Sequence, residues 1–404
     1  MIYLDVTGGC RLPLQTGIPR TTRALHALLQ RSGITVTPLV WQPFRHCYTQ
    51  LSRRGLELLE NPLAVTTHDT RKQGLAPSDD TWPYLKACME DLILRNPKSR
   101  NLRKRMGRDE TLLVTSLFPD NRVEYLMEMM GRPGRRMAIF HDGIPLSDPN
   151  VGKWAIGRHV KSLQLLAQMH LVICVSKSAE AELKALWCNH GIRGTATRAI
   201  VWPVPFLGSR PDWTEPGRDP LSVLYVARLK KTKNHDLLFS SCERLWREGI
   251  PFKLNLIGCE DVAEESKAIQ ARIRILQDAG YPVIWMGHVS DETLHDAYRK
   301  CSFTVFPSLR EGLGLPVLES LWHGRPVITS ADGPMGEIGK GAGCLTAEME
   351  SAESLATAMR SLLNDPARNL RIAREAYERP LKTWDDYGME LLPILQPGSV
   401  CNVI

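Results

Sequence analysis

The chain has 404 residues, of which 43% are hydrophobic and 24% charged, with a net charge of +7. That length exceeds one ordinary core and suits two domains of about 200 residues each. The composition is that of a soluble globular protein, and no run of about 18 uninterrupted apolar residues offers a membrane-spanning helix.

The N-terminal stretch MIYLDVTGGC starts directly on a strand, Ile2 to Val6, with no basic region, apolar core or cleavage site of a signal peptide. Thr7 to Ile18 reads as a loop carrying Gly8, Gly9 and Gly17, and Pro19 opens a helix through Gln30 with Leu25, Leu28 and Leu29 on one face. This strand, glycine loop and helix make half of a dinucleotide-type unit, without the G-x-G-x-x-G spacing. Pro43 to Arg108 is polar and poorly periodic, an expected insertion where acceptor recognition is placed. Its end, Arg95 to Arg108, holds seven basic residues and no acid. It is either a solvated face or an attraction for anionic lipid or an anionic acceptor; without interleaved aromatics it does not resemble a nucleic-acid site.

The alternation of strand and helix then becomes regular. Strands are expected at Thr111 to Ser116, Arg136 to Phe140 and Leu171 to Val175, with helices at Glu124 to Met130, Lys153 to Met169 and Ala179 to Leu186. His141 stands at a strand's carboxyl end, where an open α/β sheet places functional groups, and Ser176 and Ser178 read as helix caps first and acceptor contacts second. Five prolines between Val201 and Pro220 mark an interdomain linker.

A second series follows: strands Ser222 to Ala227, Phe252 to Ile257, Val283 to Met286 and Phe303 to Phe306, alternating with helices Asn234 to Trp246, Glu264 to Ala279 and Asp291 to Cys301. Such alternation requires a parallel sheet with right-handed crossovers. Arg228 and Lys233 close the first strand as a bidentate fork and a movable point charge, suited to a diphosphate. Phe306 to Thr329, FPSLREGLGLPVLESLWHGRPVIT, reads as a strand end, a turn in which Gly312 and Gly314 take φ > 0, a helix opening at Pro316, and another strand. A helix start reached through bare backbone offers N–H groups to an anion. Glu311 and Glu319 flank that turn, neither placed like a salt-bridge partner on a solvent face. Helices Ala352 to Leu363, Ala367 to Glu378 and an amphipathic Trp384 to Leu395 finish the chain.

Glu311 and Glu319 with seven residues between them, embedded in FPSLREGLGLPVLES and followed by GRPVITS, resemble the signature of retaining nucleotide-sugar glycosyltransferases of the GT-B fold, family 4. TGIPRTTRAL resembles that family's TGI-x-R segment, whose loop amides approach the donor diphosphate, which implicates Gly17. HDGIPL resembles its HD-x-IPL string, where the histidine lies against the donor sugar, and VARLKKTKN resembles its GRL-x(n)-K segment, with Ala227 where glycine is usual. Gly258 and the Gly287-His288-Val289 turn resemble positions that approach the nucleoside, and Gly312, Leu313, Gly314 and Leu315 those that approach the donor.

The resemblance implies an α/β chain of two Rossmann-like doubly wound domains facing across a cleft. Its expected layout is an acceptor-side domain over 1–205, a linker over 206–220, a nucleotide-sugar-binding domain over 221–380, and a terminal helix over 381–404 crossing back to the first domain. Simple core packing is the equal alternative for Trp384. The expected activity is metal-independent transfer of a hexose, mannose favoured, from GDP-mannose or another nucleotide diphosphate hexose to a glycan or lipid-linked glycan acceptor. Arg228 and Lys233 would carry the leaving-group charge, Glu311 and His141 would meet the sugar, and Glu319 the ribose. The alternatives are a UDP-sugar-dependent glucosyl- or N-acetylglucosaminyltransferase, a nucleotide-sugar epimerase on the same architecture, and a non-catalytic carbohydrate-binding partner. No cofactor, no nucleic acid and no metal is expected, since no Asp-x-Asp motif is present. Ten cysteines without a C-x-x-C pair suit a reducing compartment, hence a cytoplasmic protein, at most peripheral at the inner face of a membrane.

Overall fold

The computed structural model describes residues 1–10, 17–60, 102, 106–116, 121–147, 153–206, 209–213, 215, 219–260 and 264–396. Among these, residues up to 206 together with 382–396 form one compact unit, and those from 209 to 381 form another. Most of the basic run from Arg95 to Arg108 lies outside the described residues. No helix among the described residues is long and apolar enough to cross a membrane.

The first unit is built on a seven-stranded sheet of order β3-β2-β1-β4-β5-β6-β7. Its strands are β1 (Ile2–Asp5), β2 (Val36–Gln42), β3 (Cys47–Gln50), β4 (Thr111–Val114), β5 (Arg135–Phe140), β6 (Leu171–Cys174) and β7 (Thr197–Ala199). All neighbours pair in parallel except β2 with β3, an antiparallel hairpin at the edge. Strands β1, β4 and β6 are buried along their whole length, as expected of apolar runs covered on both faces.

The structure differs from the sequence expectation at three places in this unit. The loop after β1 contains a helical turn, Thr7–Cys10, because the Asp5 carboxylate accepts from both the amide (3.0 Å) and the hydroxyl (2.5 Å) of Thr7. The next helix starts at Gly17 rather than Pro19 and buries Leu25, Leu28 and Leu29 as expected. The expected insertion begins with β3 and a helix at Arg53–Glu60, while residues 61–101 lie outside the described set. The terminal helix Trp384–Leu395 carries a capping box of Thr383 and Asp386 and packs Gly388 against Leu28. Trp384 is buried and its indole N–H donates to the Val204 carbonyl at 3.0 Å, so it is a core residue of the first unit.

The second unit holds a six-stranded, fully parallel sheet of order β10-β9-β8-β11-β12-β13. The strands are β8 (Ser222–Val226), β9 (Lys253–Ile257), β10 (Val283–Trp285), β11 (Phe303–Phe306), β12 (Val327–Ser330) and β13 (Cys344–Ala347). Chain order reverses between β8 and β11, and in doubly wound sheets ligands bind at the carboxyl edge of such a switch point. A helix at Gly333–Gly339 and strand β13 were absent from the sequence reading.

Part of the proline-rich stretch is tightly held. The Arg210 guanidinium donates to the carbonyls of Trp322 (2.9 Å), Ala376 (2.8 Å), Leu321, Tyr377 and Arg379, at the ends of the helices Leu315–Trp322 and Pro366–Glu378. Helix C-termini leave carbonyls without intrahelical donors, and one planar fork here serves two of them. Proline content alone did not disclose that anchor.

Candidate active site

The loop after β8 and the loop after β11 meet beside the switch point. A single 3-10 turn, Lys231–Lys233, ends in Asn234 with φ 59°, and the chain then enters the helix His235–Arg247. Within this turn the Lys233 carbonyl accepts from the Tyr225 hydroxyl, and the Thr232 carbonyl accepts from the amide of Leu309 at 2.9 Å. The two loops are thereby stitched together, and Lys233 Nζ comes to 2.5 Å from Glu311 Oε1. Ser308 Oγ donates to the same carboxylate oxygen at 2.7 Å.

Lys233 and Glu311 retain only 20% and 13% of their side-chain exposure, so their attraction is screened far less than that of a surface pair. The sequence reading gave them separate tasks and did not treat Glu311 as a salt-bridge partner; the structure makes them one unit. Through its hydroxyl, Tyr225 on strand β8 holds the main chain that carries Lys233. Burial first, and the Glu311 charge second, push its phenol well above the ordinary value, keeping it a donor.

The neighbouring loops are shaped by close backbone approaches. Gly258, after β9, has φ 154°, and a Cβ there would stand 1.8 Å from the Ala227 carbonyl oxygen. Its amide donates to the Gly287 carbonyl at 2.9 Å and its carbonyl accepts from the Trp285 indole at 3.0 Å. Only glycine permits this approach, which sets the loop carrying half-buried Arg228 against the one carrying Gly287. His288 is exposed, whereas Val289 packs on the cluster of Leu224, Ile257, Leu294, Tyr298 and Cys301.

After β11, Gly314 has φ 89°, but Gly312 is not among the positive-φ glycines, which corrects the expectation for that residue. The helix opens at Leu315 with Pro316 second, and no side chain caps it. Gly312, Leu313 and Gly314 are buried, and Leu315 is half-buried. Glu319, one turn on, is 4% exposed and accepts from the Tyr298 hydroxyl at 2.9 Å. Arg228, Lys233, Gly258, His288, Val289, Glu311, the 312–315 turn and Glu319 thus all follow carboxyl ends of the second sheet or lie in the helix beyond it.

His141 and Gly17 belong to the first unit. His141 follows β5, and its Nε2 stands 2.8 Å from the Thr115 carbonyl. A carbonyl can only accept, so Nε2 carries a proton, and in the neutral ring Nδ1 carries none. Burial, which outweighs the Thr115 hydrogen bond and the Asp142 charge, holds its pKa below the ordinary value, favouring a neutral ring at pH 7. Trp202 meets the ring edge-on at 5.3 Å. Gly17 opens its helix, while residues 11–16 before it lie outside the described set. Ser176 is an N-cap, accepting from the Ala179 amide at 2.9 Å; Ser178 lies inside the helix.

Two buried histidines of the second unit make its stability pH-dependent. Burial, with the nearby positive groups, pushes His323 down to about 3, and burial pushes His235 down to about 4, from 6.5. Below 6.5 the unfolded chain binds protons that the folded chain refuses, so stability present at neutral pH is lost progressively as pH falls toward these values. The melting midpoint should drop between pH 7 and pH 5, and His323→Gln should flatten that slope. An unchanged slope in the variant would mean that His323 is hydrated rather than buried.

Comparison with known proteins now bears on this geometry. A 244-residue alignment at 26% identity, covering 55% of this chain and 29% of that protein, relates it to the serotype-specific mannosyltransferase WbdA of Escherichia coli. Glycogen synthase of Mycobacterium tuberculosis is 30% identical over 240 residues, covering 57% of this chain and 55% of that one. The chain therefore aligns with about a third to just over half the length of these relatives. The sucrose-phosphate synthase of Thermosynechococcus elongatus superposes with a TM-score of 0.65 at 18% identity, covering 97% of each chain. The fold is GT-B, two parallel-sheet Rossmann-like domains, as the sequence led us to expect. Residues 210–379, which hold the Lys233–Glu311 pair and every candidate donor-side residue except Gly17 and His141, match the family described as glycosyl transferases group 1.

Proposed function

We propose that this chain is a retaining, metal-independent glycosyltransferase that moves a hexose, mannose in preference, from a nucleotide diphosphate sugar to a glycan or lipid-linked glycan acceptor. The observation that carries this reading is the half-buried Lys233–Glu311–Ser308 cluster at the switch point of a domain matching group 1 glycosyl transferases. In the transfer, the bond from the anomeric carbon to the β-phosphate oxygen breaks and its electron pair stays on that oxygen. The acceptor hydroxyl oxygen bonds to the same carbon from the same face, and its proton goes to the departing phosphate. Lys233, Arg228 and the amides at the start of the Leu315–Trp322 helix would bear the charge that grows on the phosphate. Glu311 would hold Lys233 in line and accept from sugar hydroxyls, and Glu319 would accept from ribose hydroxyls. His141, neutral with its proton on Nε2, would orient the sugar rather than attack it. The ten cysteines without a C-x-x-C pair support a reducing, cytoplasmic setting.

GDP-mannose is the preferred donor because HDGIPL and the Glu311–Glu319 segment resemble mannosyltransferases, and one relative bears that name. The second reading is a UDP-sugar-dependent glucosyl- or N-acetylglucosaminyltransferase, and a relative named glycogen synthase supports a glucosyl donor. Nucleotide release measured in excess EDTA with GDP-mannose, UDP-glucose and UDP-N-acetylglucosamine over a panel of glycan acceptors tests both halves. Turnover should persist in EDTA and be fastest with GDP-mannose. Abolition by chelation would overturn metal independence, and turnover with UDP-sugars alone would overturn the donor.

A further inference from the structure

The carboxylate of Glu319 is held by a buried tyrosine of the helix Asp291–Lys300. Tyr298 lies in the last turn of the helix Asp291–Lys300, at helical spacing from Leu294, and is fully buried. Its hydroxyl donates to Glu319 Oε2 at 2.9 Å. Its ring lies nearly parallel to the His323 imidazole, with centroids 4.9 Å apart and planes 11° apart. His323 Nδ1 stands 2.8 Å from the main-chain carbonyl of Glu319 itself, so it donates there, and its Nε2 is 2.8 Å from His295 Nδ1. Arg325 Nε donates to the Tyr298 carbonyl at 2.9 Å. Tyr298 is therefore gripped by hydroxyl, ring face and carbonyl, and each grip comes from the Glu319–Arg325 segment.

From this we infer that Tyr298 is a positioning residue for nucleoside recognition: by holding one oxygen of Glu319 it fixes the direction in which that carboxylate meets the ribose hydroxyls of a nucleoside diphosphate. The inference rests on the reading above in which Glu319 accepts from ribose. A glutamate has three rotatable bonds, and an acceptor already ordered before the ligand arrives spares binding the cost of ordering it. A carboxylate that swings away loses directionality as well as affinity, so removing the phenol should erode discrimination between ribose and deoxyribose. A merely structural tyrosine would change stability and leave that discrimination intact.

The test is calorimetric binding of GDP and UDP and of their 2′-deoxy and 3′-deoxy forms to the wild-type chain, Tyr298→Phe, Glu319→Ala and the double variant, with melting midpoints alongside. Phenylalanine keeps the ring against His323. The wild type should prefer the ribonucleotide about tenfold over at least one deoxy form, the scale of one hydrogen bond to a charged group. Tyr298→Phe should shrink that preference at least threefold and raise the donor KM with kcat within about twofold. The double variant should match Glu319→Ala alone. If Glu319→Ala abolishes the preference while Tyr298→Phe keeps it in full, Tyr298 is structural only and the inference is overturned, with the ribose reading standing. If Glu319→Ala keeps the preference, the ribose reading itself fails, and the inference with it.

Discussion

Lys233→Ala should weaken GDP or UDP binding by about tenfold to a hundredfold and depress turnover at least as much. A hydrogen bond to a charged group contributes about 1.5–3 kcal/mol, and the substitution also strips Glu311, only 13% exposed, of its cation. If Arg228 makes the phosphate contact proposed above, Arg228→Ala should cost at least about tenfold. Glu311→Gln separates the two halves of the pair. It keeps an acceptor for Ser308 while releasing Lys233 from its counter-charge, so nucleotide affinity should hold or rise while turnover falls. Titration of each variant with both nucleotides is decisive: unchanged affinity in Lys233→Ala and Arg228→Ala would remove these residues from the donor site.

The other large effect is on stability, and it lies in the first unit. Asp5 ends β1 and Arg122 stands 117 residues on, both with side chains almost wholly buried. Arg122 donates to Asp5 Oδ2 at 3.0 Å, the Tyr48 hydroxyl donates to the same oxygen at 2.8 Å, and Thr7 occupies the other. Arg122→Met would leave a buried carboxylate without its cation, a change that costs about 3–5 kcal/mol. For a unit of this size that corresponds to a melting point about 10 °C lower. Asp5→Leu combined with Arg122→Met should recover part of the loss, since an apolar pair needs no desolvated charges. A loss below about 1 kcal/mol by denaturant titration would show that water reaches the pair. Thr115 donates to the Asp5 carbonyl at 2.7 Å and its own carbonyl accepts from His141, so under the proposed role of His141 activity should decline along with stability.

Much of the second unit was legible because its signals are local. Apolar β-rich runs bounded by glycine, proline and capping residues place β11 at Phe303–Phe306 and a helix at Ala352–Leu363, as read from the sequence, and the same signals place the helix Trp384–Leu395 of the first unit. The elements missed have weak or contrary local signals. Strand β2 contains Pro38 and buries only its last four residues. The helix Gly333–Gly339 holds three glycines, poor helix formers, yet a Cβ on Gly336 would stand 2.1 Å from the Ala331 carbonyl oxygen. The chain entering the helix passes so close to Gly336 that no side chain fits there, and this approach overrides propensity.

The candidate site divides the same way. From the sequence alone it follows that strands and helices alternate, that such strands run parallel, and that Arg228, Gly258, His288 and Glu311 stand after strand carboxyl ends and hence along one edge. Alternation does not specify the order of strands in the sheet. Only the fold sets β8 beside β11, and that adjacency brings Lys233 to Glu311 across 78 residues of chain. It likewise takes the packed helices to join Tyr298 to Glu319, and the first sheet to join Asp5 to Arg122. Periodicity and turn chemistry are properties of neighbours in the chain, whereas a buried hydrogen bond or ion pair is chosen by neighbours in space, where desolvation makes each polar group find a partner.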